Sequence, residues 1–142
     1  MLTVIEKVLI MQDFEFFKSV SSDHLAQWAS VAKVVEIEPG TILFREGDPS
    51  RLLHLVFSGE VVLEREGVKQ SVVNREGLDY WSFFSESPRL YTARAAQACR
   101  LLTISLEEVH DLLTAEPEFC WAVTQELAQL GRDVELKSAR QP

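Results

Sequence analysis

The sequence predicts a mainly β domain with flanking helices, and three observations predict it. Short segments rich in β-branched and aromatic residues, at 33–38, 41–45, 52–57, 60–65, 69–74, 90–96 and 99–104, are punctuated by Gly and Pro, a spacing that suits an antiparallel barrel or sandwich. On both sides of that stretch the apolar residues switch to a helical period. A chain of 142 residues with 46% hydrophobic content can bury one core of ordinary size. One domain over residues 1–142 is therefore expected, with helices in 1–32, strands in 33–104 and helices in 105–138.

Each element has a local reason. Val4, Val8 and Met11 form one helical stripe, and a second run follows with Leu25, Trp28, Ala29 and Ala32, for which Ser21, Ser22 and Asp23 offer N-cap oxygens. In Glu38-Pro39-Gly40-Thr41, Pro fixes one central φ and Gly permits a positive φ at the next, as a type II turn requires. Gly47-Asp48-Pro49-Ser50, Ser58-Gly59 and Glu66-Gly67 punctuate the strands that follow. Ser105 caps a helix from Leu106 to about Ala115, with Glu108 completing a capping box. From Pro117 to about Lys137 a last helix carries Cys120, Val123, Leu127, Leu130 and Val134 at alternating steps of three and four. That seam fits either packing on the chain's own strands or a homodimer through the C-terminal helix. Residues from Ser138 to Pro142 are expected to fray.

Composition excludes several function classes. A formal net charge of -8 supplies no field that would draw the chain onto nucleic acid. No apolar stretch reaches the roughly 20 residues of a spanning helix, and the N-terminus lacks the basic region and cleavage site of a signal peptide. Cys99 and Cys120 lack metal-ligand spacing and are read as reduced and buried, which fits the cytoplasm. His24, His54 and His110 stand alone, so the clustered ligands of a metal-dependent enzyme barrel are missing, although His54 lies in an expected strand and could face the interior. No metal site and no catalytic residue is expected.

Three stretches carry a resemblance to a known family. Glu-Pro-Gly-Thr-Ile-Leu-Phe-Arg-Glu-Gly-Asp (38–48) is similar to the first hairpin of the cyclic nucleotide-binding domain, the type found in catabolite activators and in regulatory subunits of cAMP-dependent kinase. Leu-His-Leu-Val-Phe-Ser-Gly-Glu-Val-Val-Leu (53–63) resembles its next hairpin, and Pro88-Arg89 followed by Thr92, Arg94 and Ala95 resembles the end of its phosphate-binding cassette. The opening residues look like the leader of a bacterial subgroup. The resemblance runs from about residue 2 to 137 and implies an antiparallel β-roll, a double-stranded jelly-roll-like barrel, in a stand-alone form that ends before any DNA-binding helices. It also implies cAMP or cGMP as ligand and a relay from segment 78–92 to the closing helices.

The candidate pocket departs from the family pattern. A cyclic phosphate needs an arginine fork and close backbone approach, and the ribose needs a carboxylate acceptor. Arg89 and Thr92 match. Where the family has Phe-Gly-Glu, an ungapped count from Pro88 gives Leu78-Asp79-Tyr80, so the glutamate is missing and the glycine is replaced by an anion. Leu90 and Tyr91 replace two small residues. Tyr80, Trp81, Phe83, Phe84, Leu90 and Tyr91 are expected either to fill the pocket or to belong to the core beside it. The expectation is a non-enzymatic regulatory or sensor module with a degenerate cassette, in which cyclic nucleotide binding is weak or lost and the role is interaction with a regulatory protein partner or sensing of another ligand. The alternative is a functional cAMP-binding signalling protein, with a one-residue shift giving Asp79 the ribose role. The other reading of Arg89 is a surface salt bridge to Glu86 or Asp79.

Overall fold

The computed structural model describes residues 1–73 and 75–139, apart from the side chains of Ser71 and Val72. Asn74, at the end of the expected strand 69–74, and residues 140–142 of the expected frayed tail lie outside the described residues.

The leader begins with α1 (Val4–Met11), where Thr3 and Glu6 exchange hydrogen bonds in a capping box. This satisfies N–H groups that the first turn leaves free. A single 3-10 turn (Glu15–Phe17) follows, then α2 (Ser22–Val31), capped by Ser21 accepting from the His24 N–H. Lys7 Nζ donates to the Ala32 carbonyl at 2.6 Å, fastening α1 to the end of α2. Of the expected stripe, Met11 is buried while Val4 is exposed.

Among the described residues eight strands follow, interrupted by one short helix: β1 (Lys33–Ile37), β2 (Ile42–Phe44), β3 (Leu52–Ser58), β4 (Val61–Arg65), β5 (Val68–Val73), β6 (Gly77–Leu78), α3 (Tyr80–Ser85), β7 (Thr92–Ala95) and β8 (Cys99–Ser105). They form two antiparallel four-stranded sheets, β1-β8-β3-β6 and β2-β7-β4-β5, rather than one closed barrel. The expected type II turn is present: Gly40 has φ +84° and the Thr41 N–H reaches the Glu38 carbonyl at 3.2 Å.

The first sheet is apolar on both faces, and the period of two along its strands explains why. Leu53, Leu55 and Phe57 of β3, with Leu102 and Ile104 of β8, meet Met11, Phe14, Phe16, Phe17 and Trp28 of the helical layer. Val56 of β3 and Leu101 of β8 point the other way, against Phe44, Val61, Leu63 and Ala93 of the second sheet. His54 shares that inner face by alternation and is buried.

The chain closes with α4 (Leu106–Ala115), begun by the Ser105–Glu108 capping box, and α5 (Pro117–Ala139). Val123 is buried in the helix-side core and Leu127 and Leu130 pack against it, so these three seam residues face the chain's own core. Val134 is exposed. The stripe begins at Phe119 rather than Cys120. One residue on is about 100° around the helix, which makes Cys120 exposed where burial was expected, whereas Cys99 is buried.

Gly59 shows why the second hairpin needs glycine. Its φ is +91°, and a Cβ there would stand 2.8 Å from Cys99 Sγ and against the Ala98 carbonyl. Gly59→Ala is therefore expected to destabilise the fold by about 2 kcal/mol or more, combining left-handed strain with the clash. Urea unfolding of the two proteins measures this, and an unchanged midpoint would contradict the steric argument.

Candidate functional site

The segment from Glu76 to Thr92 builds the site, and the loop after β2 holds it in place. The Arg89 N–H donates to the Asp48 carbonyl at 2.8 Å, the Gly47 N–H donates to the Arg89 carbonyl at 2.9 Å, and Ser50 Oγ donates to the Ser87 carbonyl at 2.6 Å. The Asp48 carboxylate in turn accepts from the Arg45 N–H, closing its own loop. The Glu-Gly-Asp motif thus acts through its backbone on the position of Pro88 and Arg89.

Arg89 is buried, with its side chain only 1% exposed. Its Nη2 donates to the Leu52 carbonyl at 2.5 Å, and Cζ lies 4.2 Å above the centroid of the Phe44 ring, a cation–π contact. Nη1 stands 4.0 Å from Asp79 Oδ2, while Nε and Nη1 have no hydrogen-bond partner among the described residues. Burial lowers the Arg89 pKa from its ordinary value, and the neighbouring Asp79 opposes that shift. The expected surface pairing is corrected here: Arg89 faces Asp79, and it does so inside the protein.

Asp79 precedes α3 and caps it. Its backbone is left-handed (φ 51°, ψ 52°), its Oδ1 accepts from the Ser82 N–H at 3.4 Å and its Oδ2 from the Leu90 N–H at 3.2 Å. A left-handed residue with a Cβ is disfavoured except for Asn and Asp, whose side chains bond locally. This explains how an aspartate is accommodated in a left-handed position.

The aromatic residues divide. Tyr80 stacks on Phe16 with centroids 4.8 Å apart, Phe84 stacks on the same ring at 5.7 Å, and Phe83 is fully buried in the helix-side core. Phe83 and Phe84 therefore belong to the core rather than the cleft. Tyr80, Trp81, Leu90 and Tyr91 line a cleft of about 280 Å³ with Glu76, Gly77, Asp79, Leu130 and Val134. An adjoining cleft of about 420 Å³ runs beneath Tyr80 toward Phe14, Arg75, Asp133 and Lys137. Burial pushes the phenols of Tyr80 and Tyr91 well above their ordinary pKa, so both remain neutral donors. Thr92 stands apart: its hydroxyl accepts from the Glu46 N–H at 3.0 Å, tying β7 to the loop after β2.

The residues that sequence reasoning passed over are Phe44, the platform under Arg89, and Glu76, which brings a carboxylate to both clefts. The aromatic in the hairpin motif 38–48 was the available signal for the first; none marked the second. No group of acidic, histidine or cysteine side chains suited to a metal occurs among the described residues.

Comparison with known proteins places these features in context. The family model for the cyclic nucleotide-binding domain matches residues 34–116. The N-terminal domain of a transcriptional regulator from Streptomyces coelicolor is 26% identical with a TM-score of 0.78, covering 88% of this chain and 94% of that one. The catabolite activator protein of Thermus thermophilus (23% identity, TM-score 0.71) aligns over 88% of this chain and 62% of its own. The regulatory domain of Toxoplasma gondii PKA, solved with cAMP, shares 23% identity and a TM-score of 0.69 over 77% of this chain and 44% of its own. This chain thus spans less than two thirds of the latter two. No curated protein sequence matches it.

His54, beside this site, makes a pH prediction. Burial, and then the Arg89 charge, lower its pKa from 6.5 to about 4. Between those values the unfolded chain binds a proton that the folded chain does not, so stability is complete above about pH 6.5 and is lost as pH falls toward 4. His54→Gln should lose about 2–3 kcal/mol less than the wild type between pH 7 and pH 4. Urea titrations at several pH values measure the difference; parallel curves would remove His54 from the account.

Proposed function

The chain belongs to the cyclic nucleotide-binding domain family, and from that premise we propose that it is a non-enzymatic regulatory module whose degenerate cassette binds cAMP and cGMP weakly or not at all. One observation carries this reading: the cleft beside the cassette is lined by Glu76 and Asp79 and not by Arg89, whose guanidinium is buried facing the equally buried Asp79 carboxylate. An anionic ligand entering there meets like charge first. The position expected to supply the ribose acceptor is Tyr80, whose ring is committed to Phe16.

The role that remains is interaction with a regulatory protein or sensing of a different ligand. Any signal runs from the cassette to α5 through Tyr80, Leu130 and Val134, which share both clefts. A ligand shifts such an equilibrium only through different affinity for two helix arrangements. A homodimer through α5 would have to use its outer face, because Val123, Leu127 and Leu130 are turned inward. The cytoplasm is the proposed location; both cysteines are free, and no helix among the described residues is long and apolar enough to cross a membrane.

The unpartnered Nε and Nη1 of Arg89 favour a second reading, a functional cAMP-binding protein, since two buried donors await an acceptor. Calorimetric titration of the wild type with cAMP and cGMP separates the two. No heat at millimolar ligand is expected. Micromolar binding abolished by Arg89→Ala would overturn the first reading in favour of the second.

A further inference from the structure

Two backbone N–H groups beside Arg89 converge on one carboxylate. Asp79 Oδ2 lies 4.0 Å from Arg89 Nη1 and accepts from the Leu90 N–H at 3.2 Å, while Oδ1 accepts from the Ser82 N–H at 3.4 Å. The two side chains are 0% and 1% exposed, so the carboxylate is held in place rather than swinging through solvent. We propose that Asp79 is the resident anion of this site: its carboxylate occupies, beside Arg89, the seat of an anionic phosphate ligand.

Two features show that the seat is larger than its occupant. A carboxylate brings two oxygens, and with both engaged Arg89 still has Nε and Nη1 without hydrogen-bond partners among the described residues. A phosphate ester brings more acceptor positions around a larger centre, which is what two spare, buried guanidinium donors call for. The backbone gives the second indication. Asp79 has φ 51° and ψ 52°, a conformation that glycine adopts without cost, so the backbone path here admits a residue with no side chain, at the loss of the bonds to the Ser82 and Leu90 N–H groups. Asp79 lines the cleft of about 280 Å³ with its carboxylate turned inward to Arg89, so a glycine there would join the vacated seat to that cleft. The rest of a phosphate ester would then lie along Tyr80, Leu90, Tyr91, Leu130 and Val134. The ligand class the unblocked site takes is a cyclic phosphodiester nucleotide.

This inference rests on the reading that the wild-type cassette binds such ligands weakly or not at all, and the test keeps the two apart. Wild type, Asp79→Gly, Asp79→Asn and Asp79→Gly/Arg89→Ala are titrated with cAMP by calorimetry, after circular dichroism has confirmed folding. Asp79→Gly should bind at least tenfold more tightly than wild type, and the double variant should lose that gain. Asp79→Asn, which keeps the volume, should stay closed. Silence from both the wild type and a folded Asp79→Gly overturns the resident anion alone. Micromolar binding by the wild type overturns both this inference and the reading beneath it. If Asp79→Gly does not fold, the pair is tested by urea unfolding of Arg89→Met, Asp79→Asn and their combination. The combination should recover part of the midpoint lost in Arg89→Met, and strictly additive losses would overturn the proposal.

Discussion

A guanidinium keeps its charge under all conditions in which this protein folds, so a chain that buries one must bring acceptors and counter-charge with it. Much of the local structure around residues 45–52 and 76–92 answers that demand. The Leu52 carbonyl takes Nη2, Phe44 offers its ring face, Asp79 faces Nη1, and backbone bonds from Gly47 and Asp48 fix the segment that carries the arginine. Buried ion pairs seldom raise net stability, because desolvation cancels most of the attraction. Around Arg89 the bonds that are made join three segments, the loop after β2, the start of α3 and the start of β7.

The first sheet gives this arrangement its depth. Because β3 and β8 are apolar on both faces, the helices pack on one side and the second sheet on the other, and the inner face is dry enough for His54 to be held neutral near Arg89. The clefts lie at the seam where the cassette meets the C-terminal part of α5. Position, charge and side-chain size there are set by neighbouring residues of one segment, so small changes in that segment rewrite what the fold can bind while the sheets remain as they are.

Much of this was legible in the residues. The alternation in 52–57 and 99–104, the turn at Pro39-Gly40 and the Ser105–Glu108 box name their elements because each is a local rule with a local cause. Counting back from Pro88 puts Asp79 and Tyr80 in the cassette segment, and the structure brings Asp79 to Arg89 and both residues to the cleft. What could not be read depends on three-dimensional neighbours. The two-residue strand β6 exists only through its pairing with β3 at His54 and Leu55. The division of the aromatics follows from Phe16, a distant ring on which Tyr80 and Phe84 both stack. The burial of Arg89 depends on Phe44 and Leu52, far from it in sequence, and the exposure of Cys120 on which neighbour of the α5 stripe reaches the core.

The stacking of Phe16 has a wider consequence. The same ring touches Trp28 edge-on at 6.4 Å, and Trp28 lies 5.3 Å from Phe119 of α5. An unbroken aromatic chain therefore joins the cassette, the leader helices and the closing helix. The N-terminal helices are thus no appendage to the sheets: Phe16 is the ring on which the cassette's Tyr80 rests, and the leader and α5 share one aromatic core with it.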